Sequence, residues 1–198
     1  MIILKQYIIR FINENIKEIK TLSIIMIIGI VIGILSFNFF YTDNISNSIT
    51  ETLNLTKTDG FEKINIINNG IVNNIYILIF YLLASITLIS GLLIKSFLFL
   101  KGFSFGMFIA IIFNILGFKN GMLITIPLVI TNIIVFISYI YISIIFLKSR
   151  YILFEKNSDK NKFYHYLRCI STSIFSYPFI ILSVCLEQII FYYLIKIY

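Results

Sequence analysis

The chain has 198 residues, of which 59% are hydrophobic and 13% are charged, and its formal net charge is +7. Soluble domains have about a quarter of their residues charged, so this composition excludes an ordinary water-facing surface and predicts an integral membrane protein. Basic residues collect on the cytoplasmic side of membrane spans, and the sequence has no compact basic domain for nucleic acid. We therefore expect membrane lipids, and no nucleic acid, among its partners.

The first predicted elements are an amphipathic helix and a membrane span. Apolar residues recur at helical spacing in the basic N-terminal lead, at Ile8, Phe11, Ile12, Ile16 and Ile19. A helix needs about 20 apolar residues to cross a bilayer, and residues 22–40 come close to that length. Residues 41–73 are then polar and form a predicted outer loop. The spacing of Ile45, Ile49 and Leu53 indicates a second short amphipathic helix that docks a partner, with a solvated connector as the alternative.

Four more hydrophobic segments follow the outer loop. They cover about residues 74–100, 102–118, 121–147 and 170–195, and a basic cytoplasmic loop at 148–168 separates the last two. The sequence therefore predicts an all-α integral membrane protein, with one polytopic membrane domain over residues 1–198 and about five transmembrane helices. Segment 102–118 is short for a full crossing, so a re-entrant hairpin is the alternative there.

The distribution of lysine and arginine predicts the orientation of these spans. The N-terminal lead, the turn between the second and third spans, and the loop at 148–168 carry twelve of the 16 basic residues. Five spans place all three of these regions on one side of the membrane. Since basic loops stay inside, we expect a cytoplasmic N terminus and an extracytoplasmic C terminus in the cell membrane.

Small residues in the spans predict close helix packing. Gly29 and Gly33 are four residues apart in the first span, and Gly102 and Gly106 have the same spacing directly after Lys101. Lipid tails are as apolar as leucine, so helices in a membrane associate by close packing and hydrogen bonds. The glycines are expected to pack helices within the chain, with a contact to another subunit or partner as the alternative.

Polar residues inside the apolar segments are the remaining candidates. Glu187 is a carboxylate within the last segment, where it must be protonated, paired or directed towards the interface. Lys119 is a possible partner for it, and a functional contact of Glu187 is the alternative. Asn114 and Asn132 are expected to form hydrogen bonds between helices.

No pattern of residues indicates catalysis. The single histidine, His165, has no second ligand at metal-binding spacing, and no nucleophile motif or phosphate-binding loop is present. We therefore expect no enzyme activity, no metal and no cofactor.

Taken in chain order, these features resemble the stage II sporulation protein M family. The family has a basic lead, spaced glycines in its first span, and a motif of the type Lys-Gly-x-x-x-Gly. In this chain that motif is Lys101-Gly102-Phe103-Ser104-Phe105-Gly106, and Gly117-Phe118-Lys119-Asn120-Gly121 resembles the family's next turn. Glu187 matches the glutamate of the family's last span. The fourth span keeps Asn132 but lacks the two prolines usual in members, so the chain resembles a divergent member.

The resemblance implies a non-enzymatic membrane scaffold. In endospore formers the family recruits the cell-wall hydrolases called stage II sporulation proteins D and P, which remodel peptidoglycan during engulfment of the forespore. The outer loop and the outer ends of the spans would meet these partners. The alternative is a membrane component of a bacteriocin-type peptide export, immunity or ABC-transporter system, in which residues 148–168 would contact an ATPase subunit.

Overall fold

The structure is a computed structural model in which the described residues are almost all helical. It describes residues 2–40, 63–87 and 89–154, and then individual positions at 164, 167, 171, 174, 177–178, 180–182 and 185–186. No strand occurs in this described part of the chain. The predicted all-α class is confirmed at this level.

Two helices, α1 (Ile2–Glu14) and α2 (Ile16–Phe40), are separated at Asn15. The Asn15 side-chain amide donates to the carbonyl oxygen of Phe11 at 2.6 Å, while the Asn15 backbone N–H donates instead to Ile12 at 3.2 Å. A side chain that replaces the backbone donor in the helical ladder breaks or bends a helix at that point. The predicted N-terminal amphipathic helix is therefore a separate element from the span.

The third helix, α3 (Lys63–Ile86), ends before a turn that includes Thr87 and Ile89. The Thr87 hydroxyl and the Thr87 N–H both contact the carbonyl of Ala84, at 2.8 and 3.1 Å, and the Ser90 N–H donates to Thr87 at 3.2 Å. Hydroxyl groups that bond to nearby carbonyls favour helix ends over helix interiors. The boundary that the sequence analysis placed at residues 100–102 therefore differs from the structure, where the chain reverses about twelve residues earlier.

The fourth helix, α4 (Ser90–Phe154), is a hairpin of two arms. Gly117 has φ 72° and ψ 173°, which ends one helical arm (residues 90–116) and begins another (residues 118–154). The rings of Phe105 and Phe136 lie 5.3 Å apart, whereas 31 residues of straight helix would separate them by roughly 46 Å. The first arm has 27 residues and a length of about 40 Å, which exceeds the ~30 Å of a bilayer core.

The helices alternate in direction around one apolar core. The two arms of α4 run antiparallel. Phe97 contacts Tyr139, and Phe105, later in the first arm, contacts Phe136, which is earlier in the second arm. Helix α3 packs back on the first arm through the ring of Phe80, whose centroid is 5.3 Å from that of Phe97. The core draws residues from α2, α3, both arms and two positions near the C terminus: Leu22, Met26, Ile77, Tyr81, Ala84, Ile94, Leu98, Val135, Tyr139, Ile142, Ile144, Phe146, Tyr177 and Ile180.

Two stretches among the described residues are long and apolar enough to cross a membrane. They are Ile16–Phe37 in α2 and Ser90–Lys148 in α4, and a shorter apolar helix covers Ile75–Ile86. The second stretch contains the hairpin at Gly117. By their length and composition alone, these two stretches are weak evidence that the protein associates with a membrane.

Candidate functional site

The glycines of α2 lie directly against the backbone of the first arm. A Cβ atom built on Gly29 would overlap the carbonyl oxygen of Phe99, and one on Gly33 would overlap the carbonyl oxygen of Phe103. The same hypothetical atoms come within 3.1 Å of the Phe103 nitrogen and 3.0 Å of the Met107 nitrogen, respectively. Neither position therefore has space for any side chain, because the clashing atoms are main-chain atoms.

The glycines of the lysine-glycine motif meet α2 in the same way. A Cβ atom on Gly102 would overlap the carbonyl oxygen of Met26, and one on Gly106 would overlap the carbonyl oxygen of Ile30. Each helix thus places its two glycines, one turn apart, against the main chain of the other. We call these four residues the glycine contact; close approach of this kind is what small residues at four-residue spacing allow.

The glycine contact also fixes the relative direction of the two helices. Gly29 lies beside Phe99 and Phe103, and Gly33, one turn later, lies beside Phe103 and Met107. A step of one turn along α2 therefore corresponds to a step of one turn in the same direction along the first arm, so the two helices run parallel. Two parallel helices joined through the intervening antiparallel α3 form the alternating pattern of an up-and-down bundle.

Lys101 stands beside the glycine contact, on the side that faces the second arm. It is part-buried, and its ammonium nitrogen lies 5.9 Å from the ring centroid of Tyr139. A cation over a tyrosine ring at this distance is attracted by the ring's negative face. The sequence predicts Lys101 at a membrane boundary, but this residue lies eleven residues, or about 16 Å, into the first arm, because that arm already begins at Ser90.

A buried polar pair that the sequence analysis missed ties α3 to the second arm. The hydroxyl groups of Tyr81 and Ser143 are 2.9 Å apart, and the Ser143 hydroxyl donates to the Tyr139 carbonyl at 2.7 Å. The Tyr81 ring also stacks on Phe146 at 5.8 Å. The two residues are 62 positions apart in sequence, so only the fold brings them together.

Of the two asparagines, Asn114 differs from what the sequence predicts, whereas the bond of Asn132 between helices stays a prediction. Asn132 is buried in the second arm, and its amide donates to the carbonyl of Leu128 in its own helix at 2.9 Å. Asn114 is exposed on the first arm. Its expected place between helices is therefore wrong, because residue 114 lies on the side of the arm that turns away from the core.

The two ends of the bundle differ in their exposed residues, because one end has a single lysine beside an aromatic ring and the other has four lysines. At the hairpin tip (residues 117–121), Gly117, Phe118 and Lys119 are exposed. Lys17, Lys20, Lys95 and Lys148 lie at the other end, where α2 and the first arm begin and the second arm finishes. We call these four the lysine end; all are exposed, and none forms an ion pair with another described residue.

Some predicted residues lie outside the described part of the chain. They include Glu187, His165, the amphipathic pattern of the outer loop between 41 and 62, and most of the basic loop at 148–168. Within the described part, no three His, Cys, Asp or Glu side chains gather in a group that would hold a metal ion.

The structure thus brings four of the seven predicted site residues into one contact, Gly29, Gly33, Gly102 and Gly106, with Lys101 beside it. Asn132 lies elsewhere, in the second arm, and is bonded within its own helix. Comparison of the chain with protein-family models, with curated proteins and with solved structures gives no match.

Proposed function

We propose that the chain is a multi-pass membrane protein that acts as a non-enzymatic scaffold. In this proposal it positions peptidoglycan hydrolases of the stage II sporulation D and P type during forespore engulfment, as the family resemblance implies. One observation carries the proposal: Gly102 and Gly106 of the Lys-Gly-x-x-x-Gly motif pack against the main chain of Met26 and Ile30, on the same helix as Gly29 and Gly33. The motif that carries the resemblance therefore has an architectural use in this chain.

The outer surface of the bundle supports a membrane location. Large aliphatic side chains on α2 are exposed: Ile24, Ile27, Ile28, Val31, Ile32, Ile34 and Leu35. Soluble monomers rarely expose a continuous apolar surface of this extent, whereas lipid chains would cover it without cost. The proposal therefore places the exposed face of α2 against the acyl chains of the bilayer.

The charges support the orientation of the proposed spans. The lysine end gathers basic residues from α2 and from both arms of α4, and basic residues favour the cytoplasmic side. We therefore propose a cytoplasmic N terminus, with the hairpin tip and the loop between α2 and α3 on the outer side. A fifth span at residues 170–195, which carries Glu187, and an extracytoplasmic C terminus complete the proposed topology.

Affinity purification of the tagged full-length protein from its native membranes tests the scaffold function. The expected result is recovery of peptidoglycan hydrolases, identified by mass spectrometry after extraction in mild detergent. Replacement of residues 41–62 with a neutral linker of equal length leaves α2 and α3 intact and should abolish this recovery.

The matched control replaces residues 155–163, on the proposed cytoplasmic side, with a linker of equal length. Hydrolases should remain bound in that variant. Recovery of an ATPase subunit that is lost on replacement of 155–163 would overturn the scaffold proposal and favour the peptide-export or ABC-transporter alternative.

A further inference from the structure

Helix α1 has three distinct sides, although the chain begins with one continuous apolar pattern. Gln6, Arg10, Asn13 and Glu14 are exposed and polar. Phe11 and Asn15 turn towards the bundle, where Phe11 is part-buried and Asn15 is fully buried. A third side carries isoleucines that are exposed, so α1 is neither a simple surface helix nor a core helix.

The bundle-facing side holds α1 in place. The ring of Phe11 lies 4.9 Å from the ring of Tyr141 in the second arm. Next to it, Asn15 is 0% exposed and caps the last turn of α1 by its bond to the Phe11 carbonyl. These contacts fix the rotation of α1 about its own axis, and they therefore decide which residues remain outside.

The third side is an apolar stripe that the bundle leaves open. Ile9, Ile12 and Ile16 are 48%, 44% and 45% exposed, respectively. Ile9 and Ile12 are three residues apart on one face of α1, and Ile16 is the first residue of α2, directly after the break at Asn15. We call these three residues the isoleucine stripe; exposed Lys17 and Lys20 separate it from the exposed aliphatic residues of α2, which begin at Ile24.

The charges around the isoleucine stripe are basic on balance, since exposed Glu18 stands beside exposed Lys17 and Lys20 in the first turns of α2. Arg10 and Glu14 neutralise each other in an ion pair with a nitrogen–oxygen distance of 2.8 Å. The lysine end contributes exposed cations nearby, and Lys148 is close enough to Glu14 to help lower the pKa of its carboxyl. An apolar stripe beside surplus positive charge matches the surface of a bilayer that contains anionic lipid.

We propose that α1 lies in the headgroup layer of an anionic membrane leaflet, with the isoleucine stripe in lipid and the lysine end on the phosphates. Lipid is the occupant because the stripe stands beside the exposed cations of the lysine end, and an anionic bilayer surface offers both phosphates and an apolar layer. The inference rests on the membrane location in the proposed function but not on the scaffold role. It gives α1 a specific use, which is to set the depth and tilt of α2.

The chain has no tryptophan, so a single introduced tryptophan reports its own surroundings without background. The full-length protein would be reconstituted in vesicles of phosphatidylcholine and phosphatidylglycerol, with and without brominated phosphatidylcholine, whose bromines quench nearby tryptophan. The variants are Ile12→Trp on the stripe, Asn13→Trp on the polar side of the same turn, and Ile28→Trp on the exposed face of α2. One residue further along a helix rotates the side chain by about 100°.

The expected result is strong quenching and a blue-shifted emission for Ile12→Trp and Ile28→Trp, with little of either for Asn13→Trp. Without phosphatidylglycerol, the quenching of Ile12→Trp should fall towards that of Asn13→Trp, while that of Ile28→Trp should stay unchanged. Quenching of Ile12→Trp that is independent of lipid charge would overturn the role of the lysine end.

Two other outcomes separate this inference from the proposed function. If Ile28→Trp is quenched and Ile12→Trp is not, the membrane location stands and the placement of α1 is overturned; a blue-shifted but unquenched Ile12→Trp would then indicate that protein covers the stripe. If neither tryptophan is quenched, the membrane location itself fails, and the placement of α1 fails with it.

Discussion

Gly33 of α2 lies against the main chain of Phe103 in the first arm, so closely that a single methyl group at Gly33 would overlap the Phe103 carbonyl oxygen. Gly106 stands in the same relation to Ile30. The contact is reciprocal, since each helix contributes two glycines and also the main-chain atoms against which the glycines of the other helix pack. Substitution at either end should therefore have the same effect on the bundle.

The first prediction concerns this contact. Gly33→Leu forces a side chain into main-chain atoms that cannot move aside, and it should lower the free energy of unfolding by at least the ~1–3 kcal/mol typical of overpacked interiors. The measurement is thermal unfolding of the protein purified in detergent. Ser104→Leu is the matched control, because Ser104 lies in the same motif but is exposed. Equal stability of the two variants would contradict the packing role of Gly33.

The second prediction concerns the hairpin tip. Gly117 has φ 72° and ψ 173°, a region almost exclusive to glycine, and nothing lies within 4 Å of a Cβ atom built there. Gly117→Ala should therefore cost about 1–3 kcal/mol of stability through backbone strain alone. Asn120→Ala, in the same turn, serves as the control, and thermal unfolding is again the measurement. A Gly117→Ala variant as stable as the control would show that the turn adopts another conformation.

The third prediction concerns the buried pair of Tyr81 and Ser143. Tyr81→Phe leaves the Ser143 hydroxyl bonded to the Tyr139 carbonyl, so its cost should be small. Ser143→Ala leaves the buried Tyr81 hydroxyl without this partner and should cost more, within the ~1–3 kcal/mol range for an unsatisfied buried group. A double-mutant cycle should yield a coupling near ~0.6 kcal/mol, the average for such bonds in a membrane bundle. Additive effects of the two substitutions would refute a direct hydrogen bond.

The sequence predicts the glycine contact better than it predicts the turns, for physical reasons. The four-residue spacing of Gly29 and Gly33 defines a flat helix face, so close packing of another helix on it can be predicted from the sequence. The spacing does not indicate that this other helix is the one that carries Gly102 and Gly106. The turn at Thr87 and Ile89 has a weak sequence signal, because Ser85, Thr87 and Ser90 are short side chains among apolar residues.

Contacts distant in sequence could not be predicted at all. Nothing near Tyr81 indicates Ser143, because the pairing depends on how α3 lies against the second arm. The sequence predicts Lys101 at the boundary between two membrane spans, since a lysine usually marks the end of an apolar segment. In the structure its aliphatic stem and the ring of Tyr139 allow it to stand within the arm.

The fourth prediction concerns the titration of Glu14, which lies outside the proposed spans. A hydrogen bond from Arg10 is the main cause that lowers the pKa of the Glu14 carboxyl below its ordinary value of 4.5; partial desolvation opposes this, and the charges of Arg10 and Lys148 add to it. Because the carboxyl pKa is lower in the folded state, any stabilisation from the pair is present above pH 4.5 and is lost as the pH falls through the folded pKa.

The measurement is the carboxyl carbon shift of labelled glutamate as a function of pH. Arg10→Gln should return the Glu14 pKa towards 4.5, and Lys148→Gln should raise it by a smaller amount. No response to Lys148→Gln would mean that α1 and the end of the second arm are further apart than the structure places them.

The fifth prediction tests the central claim, that the bundle crosses the membrane with the lysine end inside and the hairpin tip outside. Lys119→Cys and Lys148→Cys are introduced singly into a chain in which Cys169 and Cys185 are replaced by serine, since both target residues are exposed and lie at opposite ends of the second arm. Intact cells are then treated with a membrane-impermeant maleimide. We expect labelling of Lys119→Cys in intact cells and of Lys148→Cys only after permeabilisation. Labelling of both from the outside, or of Lys148→Cys alone, would contradict it.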